Sequence, residues 1–267
     1  MTRLPYWHVD AFAARPFTGN QAAVIELEGW LADDTMLAIA AENMFADTAF
    51  LLRDLSGEAD WELRWFSPAT EVMLCGHATL ASGHALLTRG DHSDRVRFRT
   101  RRSGILELRR AESGPGYALA LPVPDLAPGE WREAAALIGV EPRQTWLASD
   151  GYAVFLLDDE AALRALRPDF ARLATLGNWQ FICTAPGGRT DIVSRIFVPG
   201  AGVDEDSVTG SAHAALAPLW SAMLGRDAFS AHQASRRGGD LHCRLDGTRV
   251  WIGGECVTMC EGSFILP

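Results

Sequence analysis

The chain has 267 residues, 48% of them hydrophobic, enough for one large buried core or two of ordinary size. Its formal net charge of −10 excludes nucleic acid and anionic membrane as expected partners, because both need basic surface. No apolar run reaches bilayer length, the first residues lack a signal-peptide core, and the five cysteines are scattered, so a reduced cytoplasm is the expected location.

Residues 7–12 read as a first strand, 15–20 as turn chemistry, and 21–25 as a returning strand. Leu31 to Phe45 reads as a helix, with Asp33 or Asp34 as its cap and Leu37, Ala40, Ala41 and Met44 at helical spacing. Strands follow over 47–52 and 61–66, the second alternating and placed to pair with the first. A second helix begins at Gly76 and carries Ala78, Leu80, Ala81, Ala85 and Leu86. A helix so poor in charge is buried on most sides. Gly76 and His77 occupy its first turn, where unpaired N–H groups and the positive dipole end make an anion site. Strands over 96–100, 105–108 and 117–121 close the first half, with a turn at Ser103-Gly104.

Three prolines and a glycine within 122–129 mark a linker. The order then begins again. Helices are expected over 131–138 and 160–176, and strands over 145–147, 153–157, 179–184 and 192–198. A second buried helix starts at Gly210 with Ser211 beside it, so that Gly-Ser-Ala here matches Gly-His-Ala at Gly76. Strands over 241–245 and 248–252 form a hairpin around Asp246-Gly247, and 257–266 supplies the last strand or two. Two such matched motifs half a chain apart point to a duplicated domain.

Three stretches now carry a resemblance. They are Val9-Asp10-Ala11-Phe12 with Phe17-Thr18-Gly19-Asn20, then Leu63 to Pro68 with Leu74-Cys75-Gly76-His77-Ala78-Thr79, and then Glu205-Asp206 with Val208-Thr209-Gly210-Ser211. In this order they resemble the PhzF-like family of isomerases, within the diaminopimelate-epimerase-like fold. The resemblance implies an α+β chain of two similar domains, each a curved, mostly antiparallel β-sheet or barrel wrapped around a central α-helix. The domains expected are 1–121, completed by a C-terminal strand at about 257–267, and 130–256, with 122–129 between them. It further implies a cofactor-free, metal-free homodimeric enzyme that moves a proton between carbons of a small carboxylic acid in the inter-domain cleft.

Residue by residue, the family's catalytic glutamate falls on Asp47 in Asp47-Thr48-Ala49-Phe50. Aspartate can do the same chemistry but reaches one methylene less far, so a different substrate or loop is expected. His77 matches a histidine that contacts substrate or relays its proton, and Asp206 matches a second carboxylate that holds the substrate's amino or hydroxyl group. Gly76, Gly210 and Ser211 would bind a carboxylate through backbone N–H groups. Asn20 and Asp10 read as turn residues, and His84 and His213 as core. Ser207 and Gln21 stand where the family has proline.

Two other readings compete. Cys75 precedes Gly-His as the catalytic cysteine does in proline racemases, but residues 207–210 hold no second thiol, so Cys75 reads as a small buried residue. A catalytically idle small-acid-binding protein is the remaining alternative, raised by the shortened acid at Asp47. Cys256 and Cys260 lie four apart in a strand-like segment without a nearby histidine, and no metal site is expected there.

Overall fold

The computed structural model describes residues 1–89, 94–112 and 114–266. The chain divides into two compact units, Met1–Leu121 with Gly253–Pro267, and Pro122–Ile252.

The first unit opens with β1 (Thr2–Ala11) and β2 (Asn20–Leu27), an antiparallel pair. Helix α1 (Asp33–Asn43) carries the chain across to β3 (Asp47–Arg53), which lies parallel to β2. A parallel neighbour cannot be reached by a tight turn, so a crossover helix is required. β4 (Trp61–Phe66) returns antiparallel to β3 and continues into the short β5 (Glu71–Val72). Helix α2 (Gly76–Leu87) then crosses to β6 (Arg95–Thr100), parallel to β4. β7 (Ile105–Arg110) and β8 (Tyr117–Pro122) complete an antiparallel run. The chain's last strand, Cys256–Leu266, pairs with β1 along its whole length, from Thr2↔Leu266 to Ala11↔Cys256. β1 therefore starts at Thr2, five residues before the strand expected from the sequence.

Every residue of α2 is buried. It packs against β1, β2, β3, β6, β7 and the last strand, which is the central helix inside a curved sheet. Small residues allow this close approach: a Cβ built on Gly83 would lie 2.4 Å from Leu108 Cδ2. Outside the sheet, Met36, Ile39 and Ala40 of α1 close over Ile25, Phe50 and Phe66. Asp33 and Asp34 do not cap α1. They sit inside its first turn, where the dipole favours acid, and Asp33 reaches Arg64 at 2.9 Å.

The second unit repeats the plan strand for strand. β9 (Ala127–Pro128) lies inside the stretch expected as a linker and pairs with β10 (Gln144–Ala148). Helix α3 (Arg132–Ile138) lies between them in the chain. β10 runs antiparallel to β11 (Tyr152–Leu156), and β11 runs parallel to β12 (Gln180–Pro186). β12 turns back to β13 (Ile192–Val198), which meets β14 (Val203–Glu205) as β4 meets β5. Helix α6 (Gly210–Leu224) then crosses to β15 (Ala228–Gln233), parallel to β13. β16 (Gly239–Asp246) and β17 (Arg249–Gly254) follow, and β18 is the last strand already described.

Two expectations fail here. The single helix expected over 160–176 is two helices, α4 (Glu160–Ala165) and α5 (Phe170–Ala174), capped by Asp159 and Asp169. Pro168 lies between them; it lacks an N–H and pushes the preceding residue out of the helical region. Strand β15 was not expected at all, although Phe229, Ala231 and Gln233 alternate inward in it. Both short helices and α3 close a core that includes Ile138, Phe155, Leu163, Leu173, Phe181 and Phe197.

Candidate active site

The first unit gathers four polar side chains where β2, β3 and α2 begin. β2 and β3 run parallel with Ala22 opposite Asp47, so their first residues share one end of the sheet. The extended residue Cys75 precedes α2, and its sulfur accepts a hydrogen bond from the Ala78 N–H. From that position the Cys75 thiol donates to Asp47 Oδ2 at 3.1 Å. His77 Nε2 lies 3.7 Å from the same carboxylate oxygen. His77 Nδ1 is 3.2 Å from Asn20 Nδ2 and 3.5 Å from Cys75 Sγ.

The hydrogen bonds fix the protons. An amide nitrogen can only donate, so His77 Nδ1 accepts from Asn20 and Nε2 carries the hydrogen that faces Asp47. Asp47 is 9% exposed, His77 5%, Cys75 4% and Asn20 2%, so the group works largely away from bulk water. Charge interactions there are stronger than at the surface. Asn20, read above as a turn residue, is thus a direct partner of His77. Asp10 does serve a turn, accepting from the Phe17 N–H at 3.0 Å. Cys75 is buried as expected, but it touches the two residues expected to do chemistry.

The second unit gathers Asp206, Thr209, Gly210, Ser211 and Gln233 at the start of α6. Asp206 accepts from the Ser207 N–H at 2.9 Å and from the Thr209 hydroxyl at 2.5 Å, tying together the turn that leads into the helix. Gln233, fully buried at the end of β15, accepts from the Thr209 N–H at 2.8 Å and donates to the Asp206 carbonyl at 2.7 Å. It locks the turn that Ser207 would otherwise leave looser than proline does. Ser211 exchanges hydrogen bonds with the Gln180 amide at 3.2 and 3.4 Å.

His84 and His213 sit in the cores. His213 Nδ1 lies 2.8 Å from the Thr209 carbonyl, which only accepts, so Nδ1 carries the hydrogen and Nε2 accepts from Ser194. Burial pushes each of these histidines down to about 4. Burial likewise pushes the Cys183, Cys243 and Cys256 thiols up, away from the thiolate. Neither buried thiol of the second unit is a ready proton acceptor for a two-thiol racemase. Cys256 and Cys260 lie on one strand, about 13 Å apart at the rise of an extended chain, too far to share an ion. Among the described residues, one set of three ligand-type side chains has its donor atoms mutually within 4.8 Å: Asp47, Cys75 and His77. No helix among the described residues is long and apolar enough to cross a membrane.

A family model described as phenazine biosynthesis-like protein, PhzC-PhzF, matches residues 9–262. An uncharacterized isomerase of Pseudomonas aeruginosa is 45% identical, covering 99% of both chains. The crystal structure of a PhzF-family protein from Enterococcus faecalis superposes with a TM-score of 0.89 at 38% identity, covering 99% of this chain and 100% of that one. A hydroxyproline epimerase from Agrobacterium vitis has a TM-score of 0.63 at 13% identity, with 98% and 92% coverage, a likeness of fold alone.

Proposed function

The chain belongs to the PhzC-PhzF family of phenazine biosynthesis-like proteins and is an isomerase by that membership, and from this we propose that it moves a proton between carbons of a small carboxylic acid, with Asp47 as the single acid/base. One observation supports the reading above all: the Asp47 carboxylate is met by the Cys75 thiol at 3.1 Å and by His77 Nε2 at 3.7 Å, in a largely buried setting. A carboxylate needs such partners to take a proton from carbon and return it, because they stabilise each charge state in turn. His77 acts as the relay, with its tautomer set by Asn20. A single acid on one face suits a suprafacial shift. A two-base racemisation would need a second acceptor, and the stretch before α6 reads Asp206-Ser207-Val208-Thr209 without a thiol.

In this proposal Gly76 N–H, Gly210 N–H and Ser211 hold the substrate's carboxylate, since the first amides of a helix have no partner within it. Asp206 takes its amino or hydroxyl group. No cofactor is invoked, and a homodimer in the cytoplasm remains the expected state, checked by sedimentation at twice the chain mass.

The test is a panel of small unsaturated and cyclic carboxylic acids incubated in heavy water with the enzyme. Deuterium incorporation that Asp47→Asn abolishes, while the acid still binds in calorimetry, is the expected result. Exchange that persists in Asp47→Asn sinks the assignment. Binding without exchange in the unmodified protein, across the panel, identifies an idle small-acid binder.

A further inference from the structure

We propose that Asp47, Cys75 and His77 form a three-ligand binding site for a thiophilic divalent cation such as Zn2+, and that the bound ion silences the acid/base centre. The second clause rests on the function proposed above; the first does not.

The donor atoms are already spaced for it. Cys75 Sγ and Asp47 Oδ2 are 3.1 Å apart, His77 Nε2 and Asp47 Oδ2 3.7 Å, and Cys75 Sγ and His77 Nε2 4.0 Å. Zinc with a sulfur at about 2.3 Å and nitrogen or oxygen at about 2.0 Å holds its tetrahedral ligand atoms roughly 3.3–3.6 Å apart. Side-chain adjustments of about half an ångström convert one arrangement into the other. Three protein ligands leave a fourth position for water or a ligand carboxylate.

Charge and protons balance. The ion displaces the Cys75 proton to solvent, and thiolate plus aspartate carboxylate then neutralise its two charges. His77 must bind through Nε2 and so move its hydrogen to Nδ1. Asn20 permits the exchange: its amide donates to Nδ1 from Nδ2 at 3.2 Å, and turned over it offers Oδ1 to accept from Nδ1–H. A partner of this kind behind a ligating histidine orients the ring for metal. The thiolate selects zinc, cadmium or cobalt over magnesium and calcium, which prefer oxygen ligands. The sequence hid this set because Asp47 comes from a strand 28 positions before Cys75, with no metal-type spacing.

The experiment titrates the chelator-treated full-length chain with Co2+. One equivalent should bind and give near-ultraviolet sulfur-to-cobalt absorption, displaced by Zn2+ and indifferent to excess Mg2+. Cys75→Ser should remove the absorption, and His77→Gln and Asp47→Asn should each weaken binding at least tenfold. Cys260→Ser, which alters an exposed thiol elsewhere, should leave the absorption intact. If Cys75→Ser does not fold, the cadmium-113 resonance of the unmodified protein replaces it, expected at a shift for one sulfur ligand. An absent band, a band that survives Cys75→Ser, a cadmium shift without sulfur, or a band lost in Cys260→Ser overturns the site. Proton exchange, once a substrate is found, should stop at one equivalent of Zn2+. Full exchange in the zinc-loaded protein overturns the silencing while leaving the site. Exchange that survives Asp47→Asn instead removes the acid/base reading and leaves the cobalt result untouched.

Discussion

Asp47 is one methylene shorter than the acid its family resemblance implies, yet it meets both Cys75 and His77. The shorter side chain therefore already spans the distance to both partners. Asp47→Glu should push the carboxylate into those partners and lower exchange on the natural substrate by roughly ten- to a hundredfold, since about 1 Å of misplacement costs that much. Measuring kcat for both forms on one substrate decides it; equal rates would mean that the length is not tuned. His84 and His213 allow a pH prediction. Both are held neutral, at about 4, by burial. An unfolded histidine titrates near 6.5, so above that pH neither state binds the proton and nothing is lost. Between about 6.5 and 4 the unfolded chain gains protons that the native chain refuses, and stability falls as pH falls. Each histidine should contribute about 1.4 kcal/mol of loss per pH unit in that window. Urea midpoints at pH 7, 6 and 5 read this directly, and imidazole nitrogen shifts should keep His213 neutral with hydrogen on Nδ1 at pH 5.

At the scale of elements, the two units share a device. Arg64 of β4 grips Glu71 of β5 with its Nε at 2.7 Å and a terminal nitrogen at 2.9 Å. Arg195 of β13 grips Glu205 of β14 at 2.8 and 3.0 Å. Each arginine also lies 5.0 Å from the ring of a phenylalanine two residues on, Phe66 and Phe197. Each glutamate precedes its helix-opening glycine by five residues, so the pairs fix the loops that deliver Gly76 and Gly210. Arg64 is 2% exposed, and Glu71→Gln would remove its bidentate partner and leave it with Asp33 at 2.9 Å, at a cost of about 1–3 kcal/mol, read as a lowered denaturant midpoint. The other element-level test concerns α2 against β7. Gly83→Val should destabilise by about 1–3 kcal/mol, because even its Cβ would lie 2.4 Å from Cδ2 of the fully buried Leu108. Leu108→Ala should cost about 2–5 kcal/mol alone and be partly rescued by the same valine. A strictly additive double mutant would show that the two surfaces do not touch.

At the scale of the molecule, the first unit is built from both ends of the chain. β18 pairs with β1 from Thr2↔Leu266 to Ala11↔Cys256, and β1 in turn holds β2, which carries Asn20. Deleting residues 256–267 should expose β1 and leave its backbone groups unpaired, a loss no local repacking restores. We expect the truncated chain to lose protection of β1 and β2 in hydrogen exchange while β12 and β13 of the second unit keep theirs. Full protection of β1 in the truncated chain would show that β18 is dispensable.

Local chemistry wrote much of this into the sequence. The apolar, glycine-opened helices at Gly76 and Gly210 had to be buried, and the alternation over 61–66 had to be a strand, because burial pattern and backbone period are properties of neighbouring residues. The matched motifs carried the family and the α+β fold. Composition could have revealed more than it did: Pro168 marks the break between α4 and α5, and the alternation at Phe229, Ala231 and Gln233 marks β15. Other features belonged to the tertiary structure alone. Asn20 meets His77 across 57 positions, and Cys75 meets Asp47 across 28. Only parallel pairing of β2 with β3 beside the start of α2 brings them together. The roles of Asn20, Cys75 and Gln233 depend on which distant group each touches, and no spacing along the chain encodes that.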